Sequence, residues 1–169
     1  MQQTGDHKNK RLFEALVRDH QGQIRAFLRR LCKNHSLADD LAQDTFLRAY
    51  QKFGSLVDAK SAKAWLFQIA YRTFLDYVRK ENRRRNLSDL YLPKPESIEQ
   101  GKPSIKMDIE QAMNALSSEQ RAAVLLNLSY GLSHFEITKA LGLPLGTVKS
   151  HIARGKTALR AFLTAYERA

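Results

Sequence analysis

Residues 133–160 read SHFEITKALGLPLGTVKSHIARGKTALR, and this stretch decides the fold: a capped helix, a glycine turn and a second, basic helix. Ser133 can cap the first helix while Glu136, three residues on, reaches back to the cap's own amide, forming a capping box. Ile137, Ala140 and Leu141 then share one helical face, and Gly142 tolerates the left-handed conformation that ends a helix. Pro144 cannot prolong the first helix but suits the opening of the next, along which Val148, Ile152 and Leu159 repeat an apolar stripe. Thr147, Lys149, Ser150 and Arg154 are left outward, able to donate hydrogen bonds to phosphates or base edges. The pattern is that of a helix-turn-helix entering duplex DNA. The plain alternative is a helical hairpin with solvated cations, and the coincidence of cap, glycine turn and basic second helix weighs against it.

Immediately upstream, Ser117 and Gln120 make a second capping box for a helix running to about residue 128, with Val124, Leu125 and Leu128 as its buried face and Gly131 as its stop. Farther out, composition agrees with a polyanionic partner. The 169 residues carry 28 Lys and Arg against 17 Asp and Glu, a formal charge of +11, which attracts nucleic acid. Hydrophobic residues make up 43% of the chain, enough to build cores. The single cysteine, Cys32, excludes an internal disulfide and reads as a small core residue. The histidines lack metal-site spacing, so neither a metal nor a cofactor is expected. No apolar run reaches the length of a spanning helix, and the polar start MQQTGDHKNK has no signal-peptide core, so a cytoplasmic protein is expected.

Charge is distributed unevenly. Residues 1–85 hold 18 basic and 9 acidic side chains, residues 86–104 hold 2 and 3, and residues 105–169 hold 8 and 5. The middle segment, with Pro93, Pro95, Gly101 and Pro103 and no sustained apolar period, reads as a linker. No alternating run calls for a sheet. The expected fold is all-α: a helical domain over 1–85, a flexible linker over 86–104, and a helix-turn-helix domain over 105–169.

The first domain shows three helical segments. One, from about residue 10 to 32, spaces Leu12, Phe13, Leu16, Ile24, Phe27, Leu28 and Leu31 for burial. The next opens at Ser36, paired with Asp39, and runs to about residue 53. Its Asp39, Asp40 and Asp44 favour the positive end of the helix dipole. An outward acidic patch in so basic a domain would repel DNA and suits solvent or a protein partner. The third, AKAWLFQIAYRTFLDYVRKENRRR over 62–85, interleaves Trp65, Phe67, Tyr71, Phe74 and Tyr77 with Lys63, Arg72, Arg79, Lys80, Arg83, Arg84 and Arg85. Aromatic faces with cations are what single-stranded nucleic acid favours. Trp65, Leu66, Ile69, Ala70, Thr73 and Tyr77 also fall on a core-facing stripe, which makes Trp65 first a packing anchor. Arg79, Lys80 and Arg83 suit phosphates, and Arg72 sits where it could approach bases.

The order of the motifs DDLAQDTFLRAY, AKAWLFQIAYRTFLDYVRK and GLPLGTVKSHIARGKTALR resembles bacterial RNA polymerase sigma factors of the extracytoplasmic-function group over nearly the whole chain. The resemblance implies a factor that directs core polymerase to promoters by recognising minus-ten and minus-thirty-five elements, in a stress or envelope response and without bond-breaking chemistry. It places Asp39, Asp40, Gln43, Asp44 and Arg48 against the β′ clamp helices, with the β flap as a further polymerase contact. It assigns the minus-ten element to Ser55, Lys60, Ser61, Lys63, Arg72, Asp76, Arg79, Lys80 and Arg83, with a base flipped near 55–63. It assigns the minus-thirty-five duplex to Lys149, Ser150, Ala153 and Arg154, with Pro144, Gly146 and Thr147 bringing the helix start near phosphates and His151 outward enough to touch DNA. The linker would thread toward the polymerase's RNA exit path. An anti-sigma factor is implied as a partner and a small-molecule substrate is not. The sequence departs from the family pattern at Thr138, where alanine is common, at Ala153, too small for a large base contact, and at Arg72, where asparagine is frequent. Two other readings compete. A stand-alone dimeric regulator would bind DNA tightly without polymerase, and a nucleic-acid enzyme would need a metal-ligand constellation around Asp39, Asp40, Asp44 and Asp76.

Overall fold

The computed structural model of the protein describes residues 2–56, 58–87 and 112–166. Every regular element among them is helical: α1 (Gln2–Cys32), α2 (His35–Lys52), two 3-10 turns (Phe53–Ser55 and Ala59–Ser61), α3 (Ala62–Leu87), α4 (Ser118–Val124) continued by a π turn (Leu125–Ser129), α5 (His134–Leu141) and α6 (Leu145–Tyr166). Helix α1 begins well before the apolar period does, because its polar first turns carry no periodic signal. Helix α3 takes in Asn86 and Leu87, the first two positions of the expected linker, and the rest of that segment lies outside the described residues.

Helix α2 is capped by Asn34 rather than Ser36. Asn34 sits in an extended conformation with its side-chain oxygen accepting from the Leu37 amide at 3.0 Å. An asparagine is at least as good a cap as a serine, and here the chain turns two residues earlier, through Lys33 in the left-handed region at φ 56°. Three helices then enclose a core of Ile24, Phe27 and Leu28 from α1, Ala38, Leu41 and Ala42 from α2, and Leu66, Phe67, Ala70 and Tyr71 from α3. Phe27 and Phe67 meet edge to face at 5.2 Å, the arrangement ring quadrupoles prefer.

In the C-terminal half both expected capping boxes are present, Ser117 with Gln120 and Ser133 with Glu136. Gly131 and Gly142 take positive φ, 71° and 70°, as helix stops. Leu128, expected inside, is half exposed, because the π turn rotates its face away from the one that Leu125 and Leu126 bury. Helix α6 crosses α4 at Gly155. A Cβ there would collide with the Val124 Cγ2 methyl and lie 3.4 Å from Val124 Cβ and 3.6 Å from Leu116 Cδ1. Gly155→Ala recovers about 1 kcal/mol of helix propensity but overpacks at about 1–3 kcal/mol. A net loss is expected in urea titration, relieved when Val124→Ala is added.

The two halves pack on each other, and their buried residues form one continuous cluster. Tyr130, just after the π turn, lays its ring 4.8 Å from Phe67 and 6.0 Å from Phe27. Around it, Lys63 Nζ donates to the Tyr130 carbonyl at 2.6 Å, Gln68 Nε2 to the Lys139 carbonyl at 2.8 Å, and Arg121, from α4, to the Leu31 carbonyl at 3.5 Å.

Candidate nucleic-acid interface

The recognition helix α6 is set by its anchors. Val148, Ile152 and Gly155 face inward, which turns Lys149, Ala153 and Arg154 to solvent, with Thr147 and Ser150 partly covered. Pro144 and Gly146 are exposed at its start, where amide groups of the first turn are free to meet phosphate. His151 differs from the sequence reading. Its side chain is only 14% exposed, with Nε2 3.7 Å from a Glu119 carboxylate oxygen, so the ring points at α4 rather than outward. The two apolar anchors on either side of it, Val148 and Ile152, impose that rotation. Thr138 donates its hydroxyl to the Phe135 carbonyl at 2.6 Å, absorbing within α5 the polarity that an alanine would lack.

Glu136 ties down the start of α5. It accepts from the Ser133 amide at 2.8 Å and from the Ser133 hydroxyl at 2.7 Å, and these bonds, the backbone one first, hold its carboxyl below the usual range. A carboxylate whose folded pKa is lowered stabilises the fold above its unfolded value, about 4.3, and loses that contribution as pH falls through the lower folded value. Between about pH 5 and about pH 3, wild type should therefore lose more thermal stability than Glu136→Gln, a difference readable by circular dichroism.

On the other half, α2 and α3 flank a groove of about 530 Å³ bordered by Arg48, Trp65, Arg72, Asp76, Arg79 and Leu141. It brings together four of the minus-ten candidates, since Ser55 also lines it. Lys80 and Arg83 continue along the exposed face of α3. Lys60 and Ser61 lie in the second 3-10 turn, organised by Asp58, whose carboxylate accepts from the Lys60 amide at 3.0 Å and whose carbonyl accepts from the Ser61 hydroxyl at 2.8 Å. Lys63 stands apart from the groove candidates, its ammonium spent on Tyr130. Of the five interleaved aromatics, Phe67, Tyr71 and Phe74 are buried, leaving Trp65 and Tyr77 partly accessible. Burial pushes the Tyr71 phenol up to about 12, helped by Glu119. Trp65 is both packed on the core and exposed to the groove. Gln68 and Lys52 also line the groove, and neither stands out in sequence, where Gln68 is an uncharged residue within the aromatic stripe and Lys52 one of many cations.

The acidic set on α2 is partly self-paired. Arg29 reaches Asp39 at 3.2 Å. Arg48 bridges Asp44 at 3.1 Å and Asp76 at 2.7 Å, so its guanidinium ties α2 to α3, and Asp76 holds its pKa further up. Asp40 and Gln43 are exposed. Among the described residues no group of three or more His, Cys, Asp or Glu side chains gathers as a metal site, and no helix is long and apolar enough to cross a membrane.

This geometry, a helix-turn-helix beside a cationic groove with an aromatic wall, has known counterparts. The family profile Sigma-70 region 2 matches residues 16–84, and Sigma-70, region 4 matches residues 106–159. The chain belongs to the sigma-70 family. Within that family its relatives are extracytoplasmic-function sigma factors. It is 36% identical over 168 residues to the ECF RNA polymerase sigma factor SigE of Mycolicibacterium smegmatis, an alignment covering 95% of this chain and 65% of that one. Against the ECF RNA polymerase sigma factor SigC of Mycobacterium tuberculosis it is 31% identical over 158 residues, covering 90% and 84%. Among solved structures, the sigma factor RpoE of Bartonella quintana, in complex with the anti-sigma factor NepR, superposes with a TM-score of 0.76 at 30% identity, covering 90% of this chain and 96% of that one. Region 2 thus supplies every lining residue of the groove except Leu141, and region 4 holds the helix-turn-helix.

Proposed function

We propose that this sigma factor joins core RNA polymerase in the cytoplasm and reads promoters at two points, contributing binding and no covalent chemistry. Domain limits of 1–85 and 105–169 suit this division, with the segment between them spanning toward the RNA exit path. The observation that carries the proposal is the pairing, in one chain of this family, of an exposed Lys149–Arg154 surface on the recognition helix with the cationic groove of region 2. Lys149, Ser150 and Arg154 read the minus-thirty-five duplex, and Pro144, Gly146 and Thr147 set the helix start on phosphate. Ala153 allows close approach. The inward ring of His151 supports a role in packing rather than in reading.

For the minus-ten strand, Arg72, Asp76, Arg79 and Ser55 line the groove while Lys60 and Ser61 stand at its turn. Lys80 and Arg83 follow the phosphates beyond it. A flipped base costs a few kcal/mol of unstacking, which stacking on Trp65 and hydrogen bonds in the groove offset. Asp40 and Gln43, with Asp39, Asp44 and Arg48 beside them, form the docking face for the β′ clamp helices, and region 4 adds the β flap. The likeness to a sigma factor solved with NepR supports an anti-sigma factor as a further partner, and with it a stress or envelope response. The test is transcription with purified core polymerase on a pool of genomic fragments. Template-specific transcripts that appear only with the factor are expected, and their absence on every template refutes the reading.

A further inference from the structure

Helix α1 carries a basic surface that neither promoter-reading site uses. Arg11, Arg18 and Arg25 recur every seven residues along it, and all three are exposed. Seven residues are nearly two full turns, so side chains at that spacing share one line along a helix, about 10.5 Å apart and drifting by about 20° per step. Phe13, Ile24, Phe27, Leu28 and Leu31 are buried on the other side of the same helix, so the line points away from the core. Between the arginines on this line stand only Ala15 and Gly22, and a Cβ at Gly22 would meet nothing within 4 Å.

Exposed arginines on a helix usually meet a carboxylate three or four residues away. Glu14 stands three residues from Arg11 and four from Arg18, yet among the described residues no ion pair joins Arg11, Arg18 or Arg25 to a carboxylate. Arg29, the next position on the line, ends it by pairing with Asp39 at 3.2 Å. Three guanidiniums therefore stand in a row about 21 Å long with their charge uncompensated. The row is also separate from the groove, whose lining includes no residue of α1.

Its chemistry differs from that of the groove. A single strand is held by bases stacked on aromatic faces as well as by cations, and the groove offers Trp65. Both aromatic rings of α1, Phe13 and Phe27, are buried, so the ridge has no face for an unstacked base. What it has is planar forks that grip phosphate oxygens in pairs, and a duplex presents one charge per ~1.7 Å of axis whatever its sequence. We propose that the Arg11, Arg18 and Arg25 ridge is a sequence-independent site for the phosphate backbone of duplex DNA, distinct from both promoter-reading surfaces. It lengthens residence on DNA without biasing the choice of promoter. This goes beyond the promoter reading and does not depend on it.

The test measures binding of the full chain to a 30-base-pair duplex of random sequence (a length of about three helical turns) by fluorescence anisotropy across a salt series. Replacing all three residues, Arg11→Gln, Arg18→Gln and Arg25→Gln, should lower the slope of log affinity against log salt by about 2.7, three contacts at ~0.9 each. Between about 50 and about 200 mM NaCl, wild type should then lose about 40-fold more affinity than the variant. Removing equal charge elsewhere, through Lys10→Gln, Lys33→Gln and Lys139→Gln, should change the slope by less than about one, and the triple Arg→Lys variant should keep it. An unchanged slope in the ridge variant overturns the proposal, as does an equal drop in the two Gln triples. Poly-L-glutamate displacing the duplex from wild type and from the ridge variant alike also overturns it, since the duplex would then be held elsewhere. Gln is a good helix former, and should the triple variant still lose its helical signal, the three single variants decide, each expected to lower the slope by about one. Transcription by holoenzyme carrying the ridge variant keeps the two ideas apart: promoter choice should match wild type, and no specific transcripts even from wild type would sink the sigma reading while leaving the slopes to judge the ridge.

Discussion

Arg154→Ala is expected to reduce transcription from promoters with an intact minus-thirty-five element by roughly 5- to 150-fold, the span of about 1–3 kcal/mol for one base contact. Arg154 is exposed on the third turn of the recognition helix, which starts at Leu145, and nothing in the packing of α6 depends on it. Its loss should therefore relax discrimination at one or two base pairs and leave the melting curve unchanged. Lys149→Ala should behave differently if its ammonium meets phosphate: weaker on every promoter alike, with the salt slope of binding reduced by about one. Selections from randomised minus-thirty-five duplexes, run with both variants on holoenzyme, separate the two outcomes. An Arg154→Ala enzyme with wild-type base preference would remove Arg154 from the readers.

Phe67→Ala is expected to cost about 3–5 kcal/mol, the range for deleting a buried phenyl ring. Phe67 is 1% exposed and sits at a junction, meeting Phe27 in its own core and Tyr130 across the seam between the two halves. Relaxation around the vacated space is restricted from both sides, which argues for the upper part of that range. A stability of 5–15 kcal/mol is ordinary for a domain, so the variant should unfold at much lower urea and fall out of solution when warmed. Phe67→Leu should retain more than half of the lost stability, since it restores most of the volume. A Phe67→Ala chain within about 1 kcal/mol of wild type would mean that the ring is not the keystone of this core.

The parts legible in sequence share one property: they are decided within four residues. The Ser117 and Ser133 boxes and the Gly142 turn each rest on hydrogen bonds between near neighbours, and residue type alone marks them. The Asn34 cap shows the limit, because Asn34 and Ser36 were both competent and only the turn through Lys33 selects between them. Phe67, Tyr71 and Phe74 show another. A stripe of aromatics looks the same whether it offers stacking faces or fills a core, and the answer depends on α1 and α2 arriving from elsewhere. His151 gives no sign in sequence of being turned inward, because residue type alone does not show which way its anchors, Val148 and Ile152, rotate the helix. The seam was invisible altogether. Its donors and carbonyls lie 67, 71 and 90 positions apart, and a backbone carbonyl has the same chemistry whatever residue carries it.

Gly155 carries a different kind of consequence. Every other amino acid brings a Cβ that meets the Val124 methyl, so this position can change only together with Val124, while Ala153, Arg154 and Thr157, exposed nearby on the same helix, can change alone. The recognition helix is thereby divided into a fixed bearing and a rewritable face. Duplicated copies of such a chain could diverge to new promoters by exchanging outward side chains alone, keeping the height and pitch of the helix that presents them.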